Sequence, residues 1–283
     1  MLDRSESWNQ RPIPWVRRPR VISVTSGKGG VGKTSVVANL SVTLGAKGKR
    51  VLVLDGDFGL ANLDIMFDLK ACGTIHDVIE GRKRLKEIIL EAAPNVDVIP
   101  SASGIMGSGS MADHEKSALL QLLEEVETRY DVLMIDTGAG ISDDVTWLNS
   151  SAGEVVVVAT PEPTSIADAY ALMKVLSQRH KVKEFNLLVN QAKSEAEGLR
   201  VFQQITAVTD RFLQVSVDYL GTILWDDHWT HAIRQRKPVV NCFPTSRTAK
   251  NFAQLADEMF RHQEKSGVHG NTQFFWRALL GHA

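Results

Sequence analysis

From Arg20 onward the chain alternates short, β-branched apolar runs with longer stretches of helical period. The runs VISVTS (21–26), VLVLDGD (51–57), VDVIPS (96–101), VLMID (132–136), VVVVAT (155–160), FNLLVNQ (185–191) and YLGTIL (219–224) predict strands. Several are apolar on both faces, as strands buried between two helical layers must be. Helices are predicted between them at 33–47, 114–128, 164–179, 196–213 and 246–264. This alternation predicts an α/β fold, a mostly parallel sheet of seven or eight strands with helices on both faces. Ligands of such sheets bind beyond the carboxyl ends of the strands, so the residues after each strand are where chemistry is to be sought.

Outside that pattern lie the two ends. Residues 1–19 carry Arg4, Arg11, Arg17 and Arg18 with two tryptophans and no sustained period, and read as an arm preceding a domain over 20–265. After the break SGVHG (266–270), residues 266–283 read as a linker and a short amphipathic helix. Phe274, Phe275, Ala278 and Leu279 share one face of it, widened by Trp276 and Leu280. So short a helix is marginal alone in water and needs a surface to fold against. A membrane interface and reversible docking on its own domain stand ahead of plain core, because the linker is polar and the segment carries one arginine.

Composition narrows the classes. With 43% hydrophobic and 23% charged residues in 283, the chain is ordinary globular protein, long enough for one α/β domain with a full core. Two cysteines, Cys72 and Cys242, exclude a disulfide scaffold and a four-thiolate metal site. A formal net charge of −1 argues against a dedicated nucleic-acid binder, and no direct DNA binding is expected. No signal-peptide or membrane-spanning run is present in the sequence, so the expected location is the cytoplasm.

The first strand runs directly into Gly27-Lys28-Gly29-Gly30-Val31-Gly32-Lys33-Thr34, which opens a predicted helix. Glycines let consecutive N–H groups turn toward a phosphate while the helix N-terminus adds partial positive charge. Lys33 can reach the β- and γ-phosphates, the Thr34 hydroxyl can ligate Mg²⁺, and Ser35 completes the expected cofactor-binding set. Gly27, Gly29 and Gly32 also spell a dinucleotide-type G-x-G-x-x-G, with Asp55 about 20 residues on. Nothing in a dinucleotide site calls for Lys33-Thr34, however, and Asp136 ends an apolar strand where P-loop enzymes keep the acid that steadies Mg²⁺. Nucleoside triphosphate is therefore the expected ligand.

The second lysine, Lys28, makes the octapeptide resemble the deviant Walker A motif of the MinD/ParA group of ATPases. That resemblance implies ATP and Mg²⁺ as cofactors and a sandwich homodimer, in which Lys28 reaches the partner's nucleotide. Asp55-Gly56-Asp57 resembles the group's extra acidic motif, which implies that Asp57 orients and deprotonates the attacking water while Asp55 joins the Mg²⁺ shell with Thr34 and Asp136. Asp136 to Ile141 resembles the Walker B strand and second switch. Asn190 matches an adenine-binding asparagine, although an ordinary strand-end turn accounts for it equally well. Where relatives read G-x-I-P-x-D, this chain reads Gly221-Thr222-Ile223-Leu224-Trp225-Asp226, so Leu224 takes the place of a proline that lies against the base.

Further tracts, GLANLD (59–64), DVIEGR (77–82), EPTSIADAYALMK (162–174) and VTDRFLQVSVDYLG (208–221), resemble the flagellar number regulators of the FlhG/FleN type. The resemblance implies a slow ATPase that dimerises with ATP, restrains a flagellar transcription activator of the enhancer-binding AAA+ class, and returns reversibly to the inner face of the membrane. Proteins of this branch also work opposite a signal-recognition-type GTPase, and some contact C-ring proteins. The arm here lacks the DQAxxLR-like segment used for the GTPase. Two other classes share the loop: a metabolic amidoligase or kinase, for which Lys28 has no evident use, and a DNA-partition ATPase.

Overall fold

The computed structural model describes residues 19–101 and 110–265. Chain order begins β1 (Arg20–Ser26), α1 (Lys33–Ala46), β2 (Val51–Gly56), α2 (Leu63–Met66), α3 (Ile75–Ile79), α4 (Leu85–Ile88), β3 (Leu90–Ala93) and β4 (Val96–Ile99). It continues with α5 (Asp113–Glu124), β5 (Val132–Ala139), α6 (Asp143–Ser151), β6 (Glu154–Ala159), α7 (Pro163–His180) and β7 (Glu184–Ala192). Then come α8 (Glu195–Phe212), β8 (Ser216–Leu224), α9 (Asp227–Arg234), α10 (Val239–Cys242) and α11 (Arg247–Lys265).

The strands form one eight-stranded sheet in the order β3-β4-β2-β5-β1-β6-β7-β8. All neighbours are parallel except the β3–β4 pair at one edge. Side chains alternate across it, as a two-sided buried sheet requires. Ile22, Val24, Val53 and Met134 face α1 and α11, where Val36, Val37, Leu40, Leu44, Phe252 and Leu255 complete one core. The opposite face carries two further cores. Leu52, Leu54 and Ile135 pack against Leu119, Leu120 and Leu123 of α5, and Val155, Val157 and Leu187 pack against Leu172, Met173 and Leu176 of α7. Each fully buried Leu, Val or Ile contributes about 1.5–3 kcal/mol. Helix α1 is buried from Lys33 to Gly45 nearly all round, the mark of a helix sealed on more than one side.

The expected architecture is present, with corrections at its edges. Strand β3 and helices α2, α3, α4, α6, α9 and α10 add to the predicted elements, and β5 runs on to Ala139 beyond its apolar run. These additions are mostly short, and four-residue pieces such as Leu90–Ala93 have no room to show a period. With β1 lying between β5 and β6, the loops that follow β1, β2, β5 and β6 converge at one end of the sheet.

Candidate nucleotide site

The loop after β1 is shaped by glycines at two positions. Gly30 and Gly32 have φ of 79° and 87°, a left-handed turn that a side chain resists, and Gly32 is the N-cap of α1. The Ser26 hydroxyl donates to the Lys28 carbonyl at 2.8 Å, closing the entrance of the loop. A Cβ at Gly27 would lie 2.1 Å from the Asp168 carbonyl oxygen, so α7 runs directly against the loop's first residue. At Gly29 and Gly30 a Cβ would meet nothing within 4 Å. The loop is thus closed toward the protein and open on its other side, as a phosphate cradle has to be.

Charge is concentrated beneath that opening. Lys33 Nζ lies 3.3 Å from Asp136 Oδ1, and these residues are only 8% and 1% exposed. Thr34 beside it also draws the Asp136 carboxylate downward. Asp55 of β2 stands opposite Asp136 in the parallel register. Burial, and then the nearby Asp136 charge, push the Asp55 carboxyl up to about 7. Burial also raises Asp136, against the pull of Lys33. Two sunken carboxylates served by one lysine leave uncompensated negative charge, which a divalent cation would relieve. No group of three or more His, Cys, Asp or Glu side chains suited to a metal occurs among the described residues. Mg²⁺ beside a nucleotide does not need one, since one or two protein ligands, phosphate oxygens and waters complete its shell. The residues present therefore fit Mg-nucleotide.

Asp55 also organises the next loop, accepting from the backbone N–H of Asp57 at 3.1 Å, of Asn62 at 3.1 Å and of Leu63 at 3.2 Å. Asp57 follows at the rim. Its Oδ1 accepts from the Leu60 N–H at 3.1 Å, and its backbone carbonyl accepts from the Ser101 hydroxyl at 3.2 Å. A Cβ on Gly138 would lie 3.6 Å from that same Oδ1, so the Asp57 carboxylate faces the end of β5.

Lys28 projects at the surface and folds back on its own chain. Its ammonium lies 2.7 Å from Glu162 Oε2 and 3.1 Å from Thr164 Oγ1, at the start of α7. Asn190 is turned toward the loop's backbone, its Nδ2 donating to the Val31 carbonyl at 2.8 Å while its Oδ1 accepts from the Gln191 N–H. Leu224 is buried in the core under α7 and α8, and its N–H donates to Asn251 Oδ1 at 3.1 Å. Ser35 is buried in the first turn of α1, its carbonyl accepting from Asn39.

Gly27 to Ser35, Asp55, Asp57, Asp136 and Asn190 thus gather at one end of the sheet, whereas Phe274, Phe275, Ala278 and Leu279 lie outside the described residues. Sequence reasoning missed Glu162, Thr164 and Trp229. The first two directly follow β6, so inspection of every strand end could have found them. Trp229 carries no sequence signal; its Cζ2 comes 3.7 Å from where a Gly32 Cβ would be.

Comparison with known proteins agrees with this geometry. A family model described as an AAA domain matches residues 19–189. The antiactivator FleN of Pseudomonas aeruginosa is 39% identical over 93% of this chain and 94% of its own length. The flagellum site-determining protein YlxH of Helicobacter pylori is 34% identical over 92% of this chain and 90% of its own. Among solved structures, the cell division ATPase MinD of Pyrococcus furiosus superposes with a TM-score of 0.70 at 28% identity, covering 86% of this chain and 99% of that one. MinD of Pyrococcus horikoshii, solved with Mg-ADP, gives 0.69 at 29% identity over 88% of this chain and 100% of that one. A cradle with a second lysine and a lysine-linked strand-end aspartate, on a chain this similar to FleN and MinD, places it in the MinD/ParA-type family of P-loop ATPases, enzymes of ATP and Mg²⁺.

Proposed function

We propose that this chain is an ATP-gated dimerising switch that regulates flagellar number and placement by restraining a flagellar transcription activator of the enhancer-binding AAA+ class. The observation that carries the reading is its similarity to FleN along 93% of the chain, together with Lys28 at the exposed rim of the cradle, paired with Glu162. Phosphoryl transfer asks for position and charge neutralisation more than for covalent chemistry. The backbone N–H groups of 27–35 and the Lys33 ammonium would hold the phosphates, while Thr34 and Asp136 would ligate Mg²⁺, with Asp55 in its shell, so that the metal neutralises charge on the phosphates. Asp57 orients the attacking water and takes its proton as the bond between the γ-phosphorus and the bridging oxygen of ADP breaks. Lys28 swings from Glu162 to a second copy's nucleotide, so the loaded state is a homodimer. Leu60 and Ile141, 72% and 49% exposed beside Asp57 and the end of β5, offer that dimer apolar surface. Slow hydrolysis resets it.

No helix among the described residues is long and apolar enough to cross a membrane. In this reading the segment with Phe274, Phe275, Ala278 and Leu279 brings the ATP dimer reversibly to the inner membrane face from the cytoplasm, two tails gaining by avidity. C-ring proteins are further partners of the same switch, whereas the arm, which lacks the DQAxxLR-like segment, does not support coupling to the signal-recognition-type GTPase.

The test uses Asp57→Ala. With ATP this variant should elute as a dimer, hydrolyse at least ~100-fold more slowly than the wild type, and still inhibit the purified activator. A variant that stays monomeric with ATP, or that hydrolyses normally, removes the role of Asp57. Normal dimers with no effect on the activator would remove the flagellar function and leave the ATPase.

A further inference from the structure

Gly32 bears the sharpest demand in the phosphate loop. It caps α1 in the left-handed conformation without any side-chain cap, and its N–H and those that follow it form the anion cradle. Its carbonyl accepts the Val36 N–H at 2.9 Å, but it has no side chain with which to hold that turn. Three outside groups flank it, among them Gln191, whose Nε2 would lie 3.6 Å from a Cβ there. On one side stands Asn190, whose Nδ2 would lie 2.5 Å from a Gly32 Cβ and which already holds the Val31 carbonyl. On another stands the indole of Trp229, whose Cζ2 would lie 3.7 Å from that same Cβ, the spacing of an ordinary van der Waals contact.

The indole is itself fixed at both ends. Trp229 is 6% exposed, and its ring stacks on Phe252 of α11, with centroids 5.7 Å apart and planes 11° from parallel. Phe252 is fully buried in the same core as Val31, the apolar residue of the loop. The backbone of α9 is anchored by Asp226, whose carboxylate accepts from the His228 N–H and pairs with the His228 ring, while its carbonyl accepts from the Trp229 N–H at 2.9 Å. A rigid aromatic plate, wedged between α11 and the loop, therefore stands behind the glycine that turns toward phosphate.

We infer that Trp229 is a positioning residue of the phosphate loop, setting nucleotide affinity by holding Gly32 in its left-handed turn. The inference rests on the nucleotide reading of this site. Displacing a positioned group by about 1 Å costs on the order of 100-fold in catalysis, and a smaller relaxation of the loop costs proportionately less. A leucine at 229 would leave the space beside Gly32 partly empty, whereas a phenylalanine keeps both the plate and the stack.

The experiment is titration of the wild type and variants with the fluorescent nucleotide mant-ADP, which needs no dimer, alongside thermal melts without nucleotide. Trp229→Leu should raise Kd about tenfold or more, and Trp229→Phe should stay within about twofold of the wild type. Phe185→Leu is the control, because Phe185 is a buried aromatic in the core under α7 and α8, away from the loop. It should lose melting temperature as Trp229→Leu does and leave Kd unchanged. Should Trp229→Leu not fold, Trp229→Met carries the same expectation. A Trp229→Leu chain that binds like the wild type, or a Phe185→Leu chain that weakens as much, overturns the inference. Failure of the wild type itself to bind mant-ADP would overturn the nucleotide reading with it.

Discussion

Replacing Gly27 or Gly29 by alanine adds the same methyl group two residues apart, yet the two changes should act through different physics. At Gly27 the new Cβ would fall 2.1 Å from the Asp168 carbonyl oxygen, 2.2 Å from its carbon and 2.9 Å from the Ala169 nitrogen. All three atoms belong to the backbone of α7 and cannot rotate aside, so loop and helix must part by roughly 1.3 Å to restore ordinary contact. Overpacking of this kind costs about 1–3 kcal/mol. At about 2–4 °C per kcal/mol for a domain of this size, the melting temperature should fall by about 2–12 °C. The displaced loop should also lose about 100-fold in kcat/KM. At Gly29 nothing lies within 4 Å of the added Cβ, and its φ is not positive, so the ligand-free melting temperature should move by about a degree or less. If that empty space is where phosphate sits, the methyl must still weaken nucleotide binding, by about tenfold or more. Melts without nucleotide, mant-ATP titration and phosphate release separate the two. Wild-type affinity in Gly29→Ala would show that the open side of the loop is not the phosphate side. An unshifted melt in Gly27→Ala would refute the contact with α7.

Other perturbations probe the surroundings. Glu162→Gln removes the carboxylate that holds Lys28 in an exposed pair worth about 1 kcal/mol or less, so the melt should hardly move. At sub-saturating ATP, light scattering should find more dimer than in the wild type, and an unchanged fraction would mean that the pair does not restrain Lys28. Leu224→Pro deletes the N–H that Asn251 accepts and leaves that buried amide oxygen unpaired, at about 1–3 kcal/mol; urea denaturation should register the loss, and an unchanged midpoint refutes it. Burial, and then its hydrogen bond to Asp97, raise the Tyr130 phenol above its ordinary value of 10.0. A raised pKa in the fold means stability fully present below about pH 10 and lost as pH rises through the higher folded value. The wild-type melting temperature should therefore fall more steeply above about pH 10 than that of Tyr130→Phe, and parallel curves would refute the assignment.

What could be read from sequence was local. The octapeptide from Gly27 to Thr34 is contiguous, and Asp55 and Asp136 close the apolar runs of their strands, so a rule that looks after each apolar run reaches them. Helix α6 escaped because ISDDVTWLNSS has the composition of a turn. It is helical where Val145 and Leu148 enter the core and Asn149 Nδ2 reaches Thr25 Oγ1 at 3.0 Å, contacts set by the tertiary fold. Asn190 read equally as a base ligand or a turn residue, and its hold on Val31 spans 159 positions that no local pattern encodes. Leu224 is the mirror case. As a departure from its relatives' proline it looked like a change in the base site, yet its N–H meets Asn251, 27 residues later, in a bond no proline could donate.

The glycine at 32 brings these levels together. The motif requires it for the sake of a phosphate, and its φ of 87° supplies a second, conformational reason. The fold supplies a third, because Asn190 Nδ2 of β7 would lie 2.5 Å from a Cβ there, with Trp229 of α9 at contact distance beyond. A substitution there fails for all three reasons at once and therefore cannot distinguish them. Changes at Trp229, which lies outside the motif and flanks the loop from the core side, isolate the support from the cradle. Support of this kind stays invisible in a sequence because any apolar residue at 229 would preserve the pattern, and only the aromatic plate fills the space.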